Sequence, residues 1–275
     1  MSLLHSVLEN RKTAVILGHT NPDGDCVGSC LAVYNYLRDY FPQVDVTVYL
    51  ERPAEKFRYL RGFDQICTEV PGQFQTDLCI CLDSGDRERL GAFSGFLGAA
   101  GKVLCVDHHV TNTRYGDVNV VEPDASATCE VLFGLMDEEK ISRETAECLY
   151  TGIIHDTGVF QYSNTSIRTM EIAGKLMAKG IDFSTIISES FYQKTYVQNQ
   201  VLGRALLESI LFCDGQCIFS VMRKKDMEFY GVTSKDMEGI VEQLRSTAGV
   251  ECAIFLYEKE FQEFKVSMRS KKRWM

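Results

Sequence analysis

The chain has 275 residues, 45% of them hydrophobic and 24% charged, a globular balance that excludes a disordered, collagen-like or coiled-coil protein. No apolar run approaches the ~20 residues of a membrane span. Met1-Ser2-Leu3-Leu4-His5 lacks the basic stretch and apolar core of an export signal, so a cytoplasmic protein without membrane contact is expected. A net charge of −9 argues against a surface that coats long duplex nucleic acid.

The acidity is local: residues 1–212 carry −10 and residues 213–275 carry +1. Eleven cysteines lie mostly within apolar runs, and no CxxC pair occurs. The two C-x3-C pairs, Cys26/Cys30 and Cys213/Cys217, lack histidines at zinc-finger spacing, so reduced core thiols are expected.

In chain order, Ala14-Val15-Ile16-Leu17 reads as a buried strand. Val27, Cys30, Leu31, Tyr34, Leu37 and Phe41 follow at helical spacing. Val44, Val46, Val48 and Leu50 alternate as a strand should, and Leu78–Leu82 and Val103–Val106 are short apolar runs of the parallel-sheet kind. Helical stripes recur at Ala146, Leu149, Tyr150, Ile153 and Ile154, and at Met170, Ala173, Leu176 and Met177, with Gly180 as a stop.

This alternation predicts an α/β first domain over 1–192 built on a parallel sheet. A linker helix is expected over 193–212, its apolar part near Val201–Leu211. A smaller α/β domain over 213–275 follows. Its elements are a strand Cys217–Met222, a helix capped by Thr233 and Asp236 that carries Met237, Ile240, Val241 and Leu244, and strands Cys252–Tyr257 and Phe264–Met268.

Chemistry gathers where the strands end. Ala14–Leu17 runs into Gly18-His19-Thr20-Asn21-Pro22-Asp23-Gly24-Asp25, Leu78–Leu82 into Asp83-Ser84-Gly85-Asp86, and Val103–Val106 into Asp107-His108-His109. His155-Asp156-Thr157-Gly158 follows the run at Ile153-Ile154. Ligands of open α/β sheets bind outside the carboxyl ends of strands. Four of the five histidines fall in these clusters.

Taken singly, each cluster has an ordinary explanation: a Pro-Gly turn, a helix N-cap, a surface histidine pair. His155 alone is weak as a direct ligand. Their convergence is what needs explaining. Carboxylates with a few imidazoles and no thiolates suit Mn²⁺ or Mg²⁺, and more than four candidate ligands suggest two ions. Such a pair can clamp a phosphoryl displacement and generate hydroxide at neutral pH.

The order His19-x-Asn21-Pro22-Asp23-x-Asp25-x-x-Gly28-Ser29, then Asp83, then Asp107-His108-His109, then Asp156-Thr157-Gly158 resembles the DHH phosphoesterase superfamily. Within it the chain is most similar to the bacterial oligoribonuclease and pAp phosphatase type. The resemblance implies that His19 and Asp23 hold one ion, that Asp25, His108 and Asp156 hold the other, and that Asp83 bridges them. It implies that Asp107 orients the histidine pair, that His109 faces the substrate phosphate, and that Asn21 lies near the centre.

It further implies a Mn²⁺-dependent hydrolase (two ions, with Mg²⁺ as the alternative) in which a metal-bridged hydroxide attacks a short oligoribonucleotide or a nucleotide bisphosphate. In the second domain Lys265, Ser267 and Arg269 share a strand face and resemble the family's nucleotide-binding strand. An ordinary solvated sheet face is an equal reading of those three. The family's Gly-Gly-Gly-His segment is expected after that strand, where this sequence reads Lys271-Lys272-Arg273-Trp274-Met275. On that departure a truncated second domain is expected, frayed at its last strands or completed by self-association as a homodimer. The alternatives are hydrolysis of pApA or pyrophosphate, and a nucleotide-binding protein of weak catalysis. Cys26, beside Asp25, makes oxidative inactivation an expectation to test.

Overall fold

The structure, a computed structural model, describes residues 3–72 and 74–271. Of the terminal run, Lys272, Arg273, Trp274 and Met275 lie outside the described residues. The chain divides into two compact units, Met1–Gln193 and Lys194–Met275. Among the described residues no helix is long and apolar enough to cross a membrane.

The first unit is built on five parallel strands, β1 (Thr13–Leu17), β2 (Asp45–Tyr49), β3 (Leu78–Leu82), β4 (Val103–Asp107) and β5 (Val118–Val121), in the order β2-β1-β3-β4-β5. Among the described residues seven α-helices accompany them: α1 (Leu3–Leu8), α2 (Gly24–Tyr40), α3 (Phe96–Ala99), α4 (Thr128–Leu135), α5 (Arg143–Asp156), α6 (Ile167–Met177) and α7 (Phe183–Ile186). Every residue of β3 and β4 is buried, as their unbroken apolar runs require of strands covered on both faces. In this order the chain leaves β1 for one side of the sheet and returns to build the other. The switch point between β1 and β3 is the crevice where such sheets hold ligands.

One main core lies around α2, α4 and α5, and a second around Leu17, Cys79, Cys81, Phe93 and Phe96. The antiparallel approach of α2 to α5 depends on two glycines. A Cβ at Gly28 would lie 2.6 Å from the Cys148 carbonyl oxygen and 3.0 Å from the Gly152 nitrogen, backbone atoms that cannot rotate away. All eleven cysteines are free and nine are buried, the core hydrophobes that the apolar runs imply.

The second unit is a four-stranded sheet, β6 (Ile210–Phe212), β7 (Cys217–Met222), β8 (Cys252–Glu260) and β9 (Glu263–Ser270), with β7 and β8 parallel and both edges antiparallel. Helices α8 (Tyr196–Leu207), α9 (Lys224–Tyr230) and α10 (Ile240–Arg245) complete it. Val201, Ala205, Ile240 and Leu244 pack on one face of the sheet with Ile218, Met222, Ala253, Phe255 and Tyr257.

The opposite face presents Ile210, Phe219, Val221, Ile254, Leu256, Val266 and Met268, in cross-strand register. It stays open, with Val266 54% and Met268 56% exposed. Lys265, Ser267 and Arg269 pair with Tyr257, Phe255 and Ala253, so they stand on the helix-bearing face.

Several boundaries differ from expectation. The helix expected to continue to Leu211 ends at Leu207, because Ile210–Phe212 pairs with Phe219, Ile218 and Cys217 as an edge strand. That helix packs on the second unit's own core through Val201 and Ala205. The helix expected from Thr233 through Leu244 is broken: Thr233 and Asp236 cap a short 3-10 turn, and Gly239, at φ +83°, starts a separate helix. Met170, counted in the buried stripe of α6, is 53% exposed, while Thr169 and Ile172 take its place.

Gly28→Ala should preserve secondary structure yet force α2 and α5 apart. Such overpacking costs about 1–3 kcal/mol. Calorimetry should show a lower Tm by roughly 2–4 °C per kcal/mol, and an unchanged Tm would contradict the close approach.

Candidate metal centre

The loops after β1, β3 and β4, the start of α2 and the end of α5 bring His19, Asp25, Asp83, His108, His109 and Asp156 together at the switch point. Three sets of donor atoms each fall within 4.8 Å of one another: Asp25, His108 and Asp156; Asp83, His108 and His109; His19, Cys26 and Asp83. Ligands around a six-coordinate divalent ion at about 2.1 Å lie roughly 3–4 Å apart, a range met by His19 and Asp83 at 3.4 Å and by His108 and Asp156 at 3.1 Å.

The Asp83 carboxylate joins the sets. Its Oδ2 lies 3.4 Å from His19 Nε2, while its Oδ1 lies 3.5 Å from His109 Nδ1 and 3.7 Å from His108 Nε2. Asp83 has φ +53°, a left-handed conformation that turns the chain sharply as β3 ends, and its N–H still donates to the Val106 carbonyl. Strained backbone of this kind is a recurring feature of functional sites. A second left-handed run, Gly158-Val159-Phe160, follows Asp156.

Histidine tautomers are set from behind. His19 Nδ1–H donates to the Thr20 carbonyl at 2.8 Å and His108 Nδ1–H to the Ala125 carbonyl at 3.3 Å, so it is the Nε2 atom of each that faces the carboxylates and would offer a lone pair to a cation in place of a proton. His108 Nε2 faces three carboxylates at once: Asp156 at 3.1 Å, Asp83 at 3.7 Å and Asp25 at 3.9 Å. One imidazole nitrogen cannot hydrogen-bond all three.

Asp23 caps α2, accepting from the Asp25 and Cys26 N–H groups at 3.1 Å, and lies 3.6 Å from His19 Nε2. It is thus at once the N-cap of α2 and a charged neighbour of His19. Asp25 is wholly buried and accepts Thr128 N–H at 2.6 Å and Cys129 N–H at 3.0 Å, the first N–H groups of α4. The helix dipole adds to that hold. Room for the carboxylate comes from Gly152, where a Cβ would lie 2.5 Å from Asp25 Oδ1.

The electrostatics show an unbalanced site. Burial, then the charges of Asp83 and Asp156, push the Asp25 carboxyl well above the usual carboxylate range. Burial also raises Asp156. Burial opposes charge on His108, but its hydrogen bond to Asp156 and the charges of Asp25, Asp156 and Asp83 outweigh that and carry it up to about 10. Burial likewise opposes ionisation of Asp23, yet His19 and the helix N–H groups bring it down to about 2. Buried carboxylates that repel one another and draw protons onto histidines fit a site built for cations. The described residues therefore fit divalent cations.

Not every residue singled out in the sequence joins the centre. His155 is held between Phe57 and Phe191, with ring centroids 5.1 and 5.4 Å away, and its Nε2 meets Ser190 Oγ at 3.2 Å. Burial, reinforced by Lys56, lowers it to about 3, so it packs the core as a neutral ring. Asn21, at φ +52°, is exposed and donates its N–H to Glu51. Among the described hydrogen bonds its side chain makes none to the cluster. Cys26 does approach His19 and Asp83, but its thiol is wholly buried and burial raises it well above the ordinary thiol range. Both features oppose the oxidative sensitivity expected of it. In the second unit, Arg269 Nε lies 3.0 Å from Glu242 Oε1 of α10.

Sequence reasoning missed α4 and what it supports. Thr128 Oγ1 donates to Asp83 at 3.1 Å. Glu130, 1% exposed, accepts from Ser126 and Thr169 hydroxyls at 2.6 and 2.7 Å, which fastens the turn that presents the Asp25-binding N–H groups. Ser126-Ala127-Thr128 before an apolar run is the signal that could have revealed the helix start.

Residues 13–153 match the model of the DHH family, N-terminal domain. The bifunctional oligoribonuclease and PAP phosphatase NrnA of Bacillus subtilis is 26% identical over 264 residues, which take in 94% of this chain and 82% of that protein. Its namesake from Thermus thermophilus is 26% identical over 275 residues, 98% of this chain and 80% of that one. The crystal structure of an exopolyphosphatase-related protein from Bacteroides fragilis superposes with a TM-score of 0.90 at 25% identity, covering 98% of this chain and 82% of that chain. With its motifs in order at the ends of β1, β3, β4 and α5, and more than half of its length matched, the chain belongs to the DHH family of phosphoester hydrolases.

Proposed function

We propose that this hydrolase cleaves short oligoribonucleotides or 3′-phosphoadenosine 5′-phosphate in the cytoplasm, using two Mn²⁺ ions. The observation that carries the reading is Asp83, whose two oxygens face separate donor groups, His19 on one side and His108 with His109 on the other. The names of the NrnA relatives support the substrate class.

His19 and Asp23 would hold one ion, Asp25, His108 and Asp156 the other, and Asp83 would be shared. When bound, the ions supply Lewis-acid charge and a water of lowered pKa. The chain's own residues do the rest. Asp107, kept ionised by His109 and Asn112 against its burial, fixes His109 through Nδ1 at 2.7 Å. His109, a third exposed, can then hold or release a proton at Nε2 beside a substrate phosphate. The second unit's Lys265, Ser267 and Arg269 are assigned to substrate binding. The acidic first unit repels phosphate until cations offset its carboxylates, so catalysis should be strictly metal-dependent.

The experiment is hydrolysis of pAp, pApA and pyrophosphate by purified protein with Mn²⁺. Turnover of the first two supports the proposal. Turnover of pyrophosphate alone would favour the phosphoanhydride reading, to which the exopolyphosphatase-related structure lends weight. Tight pAp binding without turnover would make the protein a nucleotide-binding module.

Asp83→Ala should lower Mn²⁺-dependent turnover about 1000-fold, since the shared carboxylate serves both ions. Wild-type-like turnover in that variant would end the two-ion reading. Scanning calorimetry offers an activity-free check. Mn²⁺ at about 100 times its Kd should stabilise the native state by ~2.7 kcal/mol and raise Tm, with EDTA reversing the gain. A Tm indifferent to Mn²⁺ would refute the metal centre. Arg269→Ala should raise KM more than it lowers kcat if the guanidinium grips substrate. An unchanged KM would leave Arg269 as the ion-pair partner of Glu242 alone.

A further inference from the structure

Asn112 lies outside the motifs yet ties two of them together. Its side-chain Oδ1 accepts the Arg114 N–H at 2.7 Å, which fixes the orientation of the amide. The NH₂ group then donates to Asp107 Oδ2 at 2.6 Å and to the Ser84 carbonyl at 3.1 Å. One donor therefore reaches the last residue of β4 and the other the residue next to Asp83 after β3. Asp107 has no slack left: its Oδ1 takes His109 Nδ1–H at 2.7 Å and the His108 N–H at 2.8 Å. Asp107 is fully buried and Asn112 half-buried, so water cannot substitute freely for the amide.

We infer that Asn112 is a positioning residue that fixes, through Asp107, the Nδ1–H tautomer and ring angle of His109, and holds the Asp83 and Asp107 loops at one spacing. The inference deepens the proposed function and rests on the role given there to His109. An aspartate clamped on one oxygen by an amide can offer the other in only one direction. His109 then has only its Nε2, which has no hydrogen-bond partner among the described residues, for exchange with a phosphate oxygen. Without Asn112 the Asp107 carboxylate could rotate, and both His109 tautomers would become accessible. Outer-shell partners of this kind typically matter 10–100-fold for activity.

The test uses the full chain with ¹⁵N-labelled histidine. In metal-free protein the His109 resonances, assigned by their loss in His109→Gln, should show the Nδ1–H tautomer with a strongly downfield proton. In Asn112→Ala that signature should give way to a tautomer mixture. With Mn²⁺ and pApA, kcat should fall about 10–100-fold, KM should stay within about threefold, and bound manganese should be unchanged. Asn112→Asp, which sets a carboxylate against Asp107, should lose at least as much kcat.

An unaltered His109 spectrum in Asn112→Ala would overturn the inference even if activity fell. An unaltered kcat beside an altered spectrum would overturn it as well, by removing the catalytic consequence. Failure of the functional reading looks different. The wild type would then turn over neither pApA nor pAp, while the spectra would still report whether Asn112 governs His109.

Discussion

Four carboxylates with two imidazoles between them, gathered at the ends of parallel strands, are the constraint around which the first unit is arranged. Asp25 and Asp83 are almost completely removed from water and lie close enough to raise the pKa of Asp25. Isolated buried charges of one sign are among the most destabilising features a protein can carry. The surroundings answer this in layers: the N–H groups of α4 on Asp25, the Thr128 hydroxyl on Asp83, and imidazoles held by backbone carbonyls. A residual imbalance remains for cations to settle. The close glycine contacts serve the same end, since Gly152 leaves the space in which the Asp25 carboxylate sits.

The switch point explains why these residues can meet although more than 130 positions separate His19 from Asp156. A parallel sheet ends all its strands at one edge, so each strand contributes one loop to the same crevice. The buried Glu130 performs the matching task from the first turn of α4, accepting from the Ser126 and Thr169 hydroxyls to steady the helix start. The centre is therefore held by strand ends and by the anchored start of α4.

Much of this could be read from the sequence. The unbroken apolar runs of β3 and β4 announced covered strands, and the acidic and histidine clusters after them announced the crevice. Motif order carried the family. What could not be read has physical reasons. The Ile210–Phe212 strand is three residues long and depends on a partner strand, so its local pattern continued the preceding helix. The break at Gly239 required a positive φ that helical periodicity does not reveal. His155 carried the right chemistry at the right place in the chain but faces Phe57 and Phe191, because rotation about a helix by one residue, from Asp156 to His155, exchanges the site for the core. Thr128 is an ordinary polar residue whose partners, Asp25 and Asp83, are distant along the chain, and Asn112 reads in sequence as one more polar loop residue.

The open face of the second sheet bears on how firmly that unit can hold together. Four strands ~4.8 Å apart and about six residues long at ~3.3 Å each give a footprint of roughly 400 Å². At ~25 cal/mol/Å², covering it would be worth on the order of 10 kcal/mol, as much as the entire net stability of an ordinary domain. About half exposed, Val266, Met268 and Ile210 contribute only part of the burial they could, and the unit's main core lies against α8 and α10. The part of the chain assigned to gripping substrate thus has the smaller thermodynamic reserve. It should be first to open under heat or denaturant, while the charge-laden first unit persists.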